Sequence, residues 1–415
     1  MRISMVSEHA SPLAPPGSVD SGGQNVHVAA LSRALAARGH SVTVYTRRDD
    51  PTLPTRVALC EGVDVVHLTA GPPQRIPKDD LLPHMGVLAE ELAASWRYDP
   101  PEVAHSHFWM SGVAALEAVR LLPEAQRPAV AHTFHALGSV KRRHQGASDT
   151  SPAERAALEP HVGCQADVVI ATCDDEVDEL RALGVPSHRI EIAPCGVDPE
   201  EFGATGSSER RGAQHRLLSV GRVVPRKGMD LAVRALPLLS ELGFDDVELE
   251  IIGSGDTVDG RDAELDRLAR LARELGVEGR VHLRGQVSRD RMPALLRSAD
   301  AVICAPWYEP FGIVPLESMA CGTPVIATAV GGLRDSVIDG ITGLHVPPRN
   351  PQAIAEAAVR LLGDPPFRRG LGVAGRGRIE AGYTWAGVAR QTEGIYQRLL
   401  ARGRQLPGEL LEMAQ

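Results

Sequence analysis

A chain of 415 residues is too long for one ordinary hydrophobic core, and 43% hydrophobic with 23% charged residues is the composition of a soluble globular protein. A formal charge of −9, no long basic stripe and only 6 Phe, 5 Tyr and 4 Trp exclude nucleic acid as the principal partner. No run approaches the roughly 18 apolar residues of a membrane span, Arg2–Ser7 enters a strand without the apolar stretch of a secretory signal, and the cysteines form no CxxC pair, so reduced thiols and a cytoplasmic location are expected.

In chain order, short apolar runs predict strands over Ile3–Ser7, Ser41–Thr46, Val63–Leu68, Val103–Ser106, Ala129–Thr133, Asp167–Ala171 and Arg189–Ala193. Between them, helical periodicity is read over Gln24–Arg38, Asp80–Trp96, Met110–Val119, Glu154–Gln165 and Asp174–Leu183. The aperiodic stretch from Gly196 to Gly212 is the expected boundary. A second alternating unit follows, with strands at Arg216–Val220, Val247–Ile252, Val281–Arg284, Ala301–Ala305 and Val325–Ala329. Its helices are Met229–Leu242, Arg261–Leu275, Arg291–Ser298, Ile313–Ala320, Leu333–Ile338 and Pro351–Leu362. The fold class is therefore α/β with two doubly wound, mostly parallel domains, residues 1–198 and 199–384, which bind ligands beyond the carboxyl ends of their strands. Beyond a broken Gly/Arg segment, a final helix over 385–402 caps the second domain or braces the first, and periodicity leaves both open. The tail from Gly403 is expected to be loose.

The chemistry concentrates at Trp307-Tyr308-Glu309-Pro310-Phe311-Gly312-Ile313-Val314-Pro315-Leu316-Glu317, where a buried strand turns into a helix. Glu309 stands at the turn and Glu317 within the helix, with the unpaired N–H groups of the first turn between them as an anion seat. Carboxylates beside an anion seat suit a ligand that carries hydroxyls and phosphates; the competing reading makes both glutamates solvated or capping. Arg222 and Lys227, with Arg226, place cations at another strand's end, where a diphosphate needs neutralising. Ser21-Gly22-Gly23-Gln24 opens the first helix after the long loop from Glu8 through Pro12, Pro15 and Pro16, and it matches neither the dinucleotide fingerprint nor a Walker A loop. His105, His107, His132 and His135 lack acidic or cysteine partners at metal-site spacing, so no metal is expected, and His132 is read instead as a polar contact to a sugar. Lys78, Lys141, Arg142, Arg143, His144 and Arg155 are the basic loop residues of the first half, and the 141–144 run is a candidate lip.

These stretches together resemble the retaining glycosyltransferases of sequence family four, which have the two-domain GT-B architecture. The resemblance rests on Gly22-Gly23, Ser106-His107, His132-Thr133, Val220-Gly221-Arg222 with Lys227-Gly228, the E-x7-E element of Glu309 and Glu317, and Gly322-Thr323-Pro324-Val325. It implies that Gly23 gives its N–H to the donor diphosphate, that Arg222 and Lys227 neutralise the leaving group, and that Glu309 holds hydroxyls of the transferred sugar. It further implies that Phe311-Gly312-Ile313-Val314 meets the phosphates, that Glu317 binds the ribose, that Arg284 borders the base and that His132 lies at the reacting centre. Catalysis would be metal-independent and need no cofactor, with attack on the leaving group's own face and a donor phosphate oxygen taking the acceptor's proton. The final helix would cross back to the first domain.

Within the family, Ser11-Pro12-Leu13-Ala14, Gly22 to Val26 and Ser106 to Gly112 are most similar to the mycothiol-pathway inositol-phosphate N-acetylglucosaminyltransferases and the sucrose-phosphate synthases. On that pattern Asn25, Lys78, Thr133 and Arg155 hold a phosphorylated acceptor, with Phe108 where the mycothiol enzyme has a tyrosine. The expected activity moves glucose or N-acetylglucosamine from a UDP-sugar to a small polyol or sugar, phosphorylated or not. GDP- or ADP-sugars, an actinobacterial natural-product or envelope acceptor, and a binding protein without turnover are the alternatives. Expected partners are small molecules, with peripheral membrane contact and a homodimer left open.

Overall fold

Strands that read as continuous apolar runs, rather than alternating ones, must be covered on both faces, and that requirement produces parallel sheets flanked by helices. The computed structural model describes residues 1–14, 22–255, 257–258 and 261–409. It divides into one unit formed by Met1–Pro194 with the helix that begins at Trp385, and a second formed by Cys195–Thr384.

The first unit holds strands β1 (Arg2–Val6), β2 (Ser41–Arg47), β3 (Arg56–Cys60), β4 (Val63–Leu68), β5 (Val103–His107), β6 (Ala129–Thr133), β7 (Val168–Ala171) and β8 (Ile190–Ile192). They form one sheet in the order β3-β4-β2-β1-β5-β6-β7-β8. Only β3 runs antiparallel, joined to β4 through Glu61-Gly62 with Gly62 at φ 77°. This short, half-exposed edge strand escaped the sequence reading although Val57-Ala58-Leu59-Cys60 is an apolar run. The helices are α1 (Gly23–Ala36), α2 (Met85–Tyr98), α3 (Trp109–Arg120), α4 (Gly138–Gln145), α5 (Arg155–Gln165) and α6 (Asp174–Ala182). The Lys141–His144 run thus lies within α4, with Lys141 bound to Asp149 at 2.9 Å and Arg143 to Glu179 at 2.6 Å. Trp96, Trp109 and Phe134 anchor the core, and Trp96 donates its indole N–H to Ser4 Oγ.

The last helix, α14 (Trp385–Glu409), completes this unit: Glu393 pairs with Arg38, and Tyr396 Oη lies 2.7 Å from His105 Nδ1. Residues 403–409 continue that helix rather than forming the loose tail expected, while 410–415 lie outside the described residues.

The second unit holds β9 (His215–Val220), β10 (Val247–Ile252), the two-residue pair β11 (Thr257–Val258) and β12 (Arg261–Asp262), β13 (Val281–Gly285), β14 (Ala301–Cys304), β15 (Val325–Thr328) and β16 (Gly343–Val346). Its main sheet runs β13-β10-β9-β14-β15-β16, parallel throughout. The helices are α7 (Met229–Glu241), α8 (Ala263–Glu274), α9 (Met292–Ser298), α10 (Ile313–Ala320), α11 (Leu333–Ser336), α12 (Pro351–Gly363) and α13 (Pro365–Gly382). The segment read as broken by glycines is the continuous helix α13, capped by Asp364 through a 2.9 Å bond from Phe367 N–H. Its glycines are contact residues: a Cβ at Gly372 would stand 2.1 Å from the Gly322 carbonyl oxygen, and one at Gly375 would stand 3.1 Å from Met319. The aperiodic stretch before β9 is docked on this unit, with Arg297 donating to the Gly203 and Ser207 carbonyls and Glu209 N–H to Ala294.

Candidate active site

In the second unit, β9 and β14 are neighbours, so the loops that leave their carboxyl ends emerge side by side. Gly228 makes the close approach possible: it sits at φ 66°, and a Cβ there would stand 2.1 Å from the Ala305 carbonyl oxygen. Trp307 N–H donates to the Arg226 carbonyl at 2.8 Å, tying the loops together. Lys227 Nζ then reaches Glu309 Oε2 at 2.5 Å, with Arg226 at 3.8 Å from the same oxygen. Burial works to raise the Glu309 carboxyl, but Lys227 and then Arg226 outweigh it, holding the group below the usual carboxylate range. Behind Glu309, Gly331 packs at φ 48° where a Cβ would stand 2.0 Å from the Glu309 carbonyl oxygen, and Gly332 N–H donates to that oxygen at 3.2 Å.

Gly312, at φ 92°, turns the chain into α10, and Phe311 is buried against Tyr383. The N–H groups of Ile313 and Val314 fall in the first turn, where a helix has no acceptor of its own to offer. Further along α10, Glu317 is buried, and Arg289 NH1 donates to its Oε1 at 3.2 Å. Burial pushes its carboxyl up to about 7, against the pull of Arg289. Arg222 lies on the exposed loop after β9. Arg284 does not offer an open charge: Glu209 and Glu250 take its guanidinium at 2.5 and 3.0 Å. It joins the ion-pair network on one sheet face, where buried Arg216 pairs with Glu248 and Glu250 at 2.6 and 3.3 Å.

In the first unit, α1 begins at Gly23, and Gly22 N–H donates to Asn25 Oδ1 at 3.0 Å. Asn25 Nδ2 donates to the Ser11 carbonyl, so this buried amide is spent on local structure, not held open for a ligand. Ser21, Pro15 and Pro16 lie outside the described residues. Phe108 ends β5 at φ 77°, a costly conformation for a residue with a Cβ, and turns its ring between two cations. Lys78 Nζ lies 5.7 Å and Arg155 Cζ 5.1 Å from that ring's centroid. Arg155 is itself fixed by Glu159 at 2.7 Å and by the Ala136 carbonyl at 2.7 Å.

Of the predicted acceptor set, Lys78, Phe108 and Arg155 therefore meet. Thr133 does not join them: it is buried, with its hydroxyl between His105 Nε2 at 2.9 Å and the Ile170 carbonyl at 3.0 Å. His9, which the sequence reading passed over, does join, edge-on to Phe108 at 5.0 Å and bonded to the buried Glu8 carboxylate at 2.7 Å. A histidine directly after Glu8 at the carboxyl end of the first strand was the available signal.

His132 is wholly enclosed. It packs edge-on against Phe134 at 4.2 Å, bonds Ser106 Oγ through Nδ1 at 2.8 Å, and fits only because Gly112 has no Cβ. Such a core imidazole cannot touch a ligand without repacking, which corrects its expected place at the reacting centre. Three residues on, His135 leaves β6 at φ 61° with part of its surface exposed. It stacks on His107, whose Nδ1 lies 2.9 Å from His135 Nε2, and packs edge-on to His27 at 4.9 Å. Burial holds His27 at about 4 and His132 at about 3, and it places His105, His107 and His135 well below the usual histidine range, so the cluster is neutral. Among the described residues no group of three or more His, Cys, Asp or Glu side chains is arranged to hold a metal ion. Among them too, no helix is long and apolar enough to cross a membrane.

Residues 21–201 match the family description Glycosyltransferase Family 4, and residues 205–378 match Glycosyl transferases group 1. A D-inositol 3-phosphate glycosyltransferase of Kineococcus radiotolerans is 36% identical over 421 residues, covering 96% of this chain and 95% of that protein. The chain belongs to glycosyltransferase family 4. This family 4 glycosyltransferase has the GT-B fold, two Rossmann-like parallel-sheet domains, and it is similar to the sucrose-phosphate synthase of Thermosynechococcus elongatus. The two superpose with a TM-score of 0.87 at 32% identity, over 97% of this chain and 99% of the synthase. The Anabaena protein Alr3699/HepE, solved in complex with UDP and glucose, shares the fold alone, with a TM-score of 0.74 at 18% identity over 96% of this chain and 100% of the other.

Proposed function

We propose that this glycosyltransferase moves a hexose, glucose or N-acetylglucosamine, from a UDP-sugar to a small phosphorylated polyol or sugar, with retention at the anomeric carbon and without a metal. The observation that carries the acceptor half is the convergence of Lys78 and Arg155 on the Phe108 ring. Two fixed cations beside an apolar face suit a phosphomonoester on a ring-shaped polyol. The relative that acts on D-inositol 3-phosphate supports the same chemistry.

The second unit supports the donor half. Lys227 and Arg222 neutralise the diphosphate as it leaves, and the first-turn N–H groups of Ile313 and Val314 add fixed dipoles, a preorganised electrostatic role that supplies without a metal the charge stabilisation a metal would give. Glu309, released from Lys227 as that cation turns to phosphate, accepts hydroxyls of the sugar, and Glu317 accepts those of the ribose. Gly23, at the start of α1, gives its N–H to the diphosphate. No side chain forms a covalent intermediate; the acceptor hydroxyl attacks the anomeric carbon, the bond to the diphosphate breaks, and a donor phosphate oxygen takes the proton. His135, partly exposed where His132 is enclosed, is the imidazole we assign to the reacting sugar. The neutral state that burial imposes on it lets a ring nitrogen accept a hydrogen bond from a hydroxyl.

Saturation-transfer NMR with UDP, GDP and ADP, each with and without EDTA, followed by their glucose and N-acetylglucosamine conjugates, tests the donor. A transfer assay comparing inositol phosphate with inositol, with the product's anomeric coupling read by proton NMR, tests acceptor and stereochemistry. Selective binding of UDP despite chelator and an axial product linkage are expected. No diphosphate bound, or an inverted product, would overturn the proposal.

A further inference from the structure

Glu317 is held from outside its own helix. Arg289 lies in the turn before α9, and its planar fork is divided between two carboxylates: Nε and NH2 grip Glu201 at 2.7 and 2.9 Å, while NH1 reaches Glu317 Oε1 at 3.2 Å. The guanidinium also lies over the Phe202 ring, 4.9 Å from its centroid. A two-point grip on one edge and an aromatic ring under the plane leave the group little freedom, so the direction of NH1 is fixed. Glu317 is thereby anchored through one oxygen, while among the described residues its Oε2 has no protein partner. Anchored on one side and open on the other, the carboxylate is ready for a pair of neighbouring hydroxyls. It is a purely accepting group, with every lone pair open to hydroxyls, when ionised, and burial works against ionisation. Arg289 is the cation that counters this.

We propose that Arg289, held by Glu201 and Phe202, is the positioning residue that fixes the Glu317 carboxylate to receive the ribose diol of the donor nucleotide. The inference rests on the reading of Glu317 given under Proposed function, and it adds a three-residue support that the E-x7-E element does not contain. An Arg289–Glu201 pair that merely joined two surface segments would leave nucleotide discrimination untouched.

The test is the affinity of the full chain for UDP and 2′-deoxy-UDP, measured by titration calorimetry at pH 6.5 and 8.5 in the wild type, Arg289→Ala, Arg289→Lys and Glu201→Gln. Wild type should prefer UDP by about ten-fold, the scale of one hydrogen bond to a charged group. Arg289→Ala should erase that preference at pH 6.5 by weakening UDP and sparing the deoxy analogue. Part of it should return at pH 8.5, where a larger share of Glu317 is ionised than at pH 6.5. Arg289→Lys should retain an intermediate preference, and Glu201→Gln should lose a smaller share in the same direction; if Arg289→Ala does not fold, Glu201→Gln decides. The wild-type ratio persisting in these variants at both pH values would overturn the inference. A wild type that binds no nucleoside diphosphate, or binds UDP and its deoxy analogue alike, would instead overturn the underlying reading of Glu317, and the inference with it.

Discussion

Lys227 Nζ stands 2.5 Å from Glu309 Oε2, so the carboxylate and the cation proposed to serve one donor hold each other in its absence. A diphosphate must draw Lys227 away, and that same movement frees Glu309 for sugar hydroxyls. One exchange of partners therefore prepares both groups. Lys227→Ala should lower kcat by on the order of 10²-fold or more, the scale of losing one preorganised charge stabiliser, while the unfolding midpoint stays close to wild type. Turnover measured beside a denaturation curve checks this, and an unchanged kcat would remove Lys227 from the leaving-group role.

The two histidines of the β6 end should separate cleanly. His135→Ala is expected to cut kcat with little loss of stability, since part of its surface is already exposed. His132→Ala leaves a cavity between Phe134 and α3 and should cost roughly 2–4 kcal/mol of stability. The folded His132→Ala fraction should turn over faster than His135→Ala; the reverse order would return the catalytic assignment to His132.

Lys78 gives the cleanest probe of the acceptor, because Arg155 is bound into a buried pair with Glu159 and its removal would strand that carboxylate. Lys78→Ala should raise KM for a phosphorylated acceptor about ten-fold, one charge-assisted bond, and leave KM for the unphosphorylated analogue unchanged. An equal effect on both acceptors would show that Lys78 does not read phosphate.

The histidine cluster predicts acid lability. His27 titrates at about 4 in the folded chain and at 6.5 ordinarily, so below pH 6.5 the unfolded chain takes a proton that the folded one refuses. Its contribution to stability is present above pH 6.5 and is lost as pH falls toward 4, by about 1.4 kcal/mol per pH unit. His132, His105, His107 and His135 act with the same sign. Glu159 and Glu176, raised by burial, act with the opposite one, so the informative comparison is between wild type and His27→Gln. Denaturation free energies at pH 7, 6 and 5 should fall less steeply in His27→Gln, and parallel slopes would exclude His27 as a contributor.

Much of the fold was legible because parallel strands announce themselves as apolar runs such as Ala301–Cys304, and helices such as α7 as periodic ones. β3 and α13 were not: the apolar Val57–Cys60 run is short and turn-flanked for a strand, and α13 carries glycines whose purpose, contact with Gly322 and Met319, exists only once α10 is in place. At the candidate site, Glu309 and Glu317 were legible together because they share one strand–turn–helix, whereas Lys227 leaves a different strand, β9, and meets Glu309 only in the fold. The sequence singled out the enclosed His132 rather than the partly exposed His135 because strand alternation says which residues share a face, not which face is open, and the positive φ comes only at His135. Arg289 was invisible, since its partners Glu201 and Glu317 lie far from it along the chain.

The helix α14 carries a consequence for how the protein is made. Tyr396 reaches His105 across 291 positions, and Glu393 reaches Arg38 across 355, so the first unit is closed by a segment that leaves the ribosome only after the whole second unit. The second unit, contiguous in sequence, can fold while translation continues; the first must wait with His105 and its neighbours uncovered. A nascent chain halted before Trp385 would thus carry one finished domain and one unfinished domain ahead of it, and the order of maturation would run against the order of synthesis.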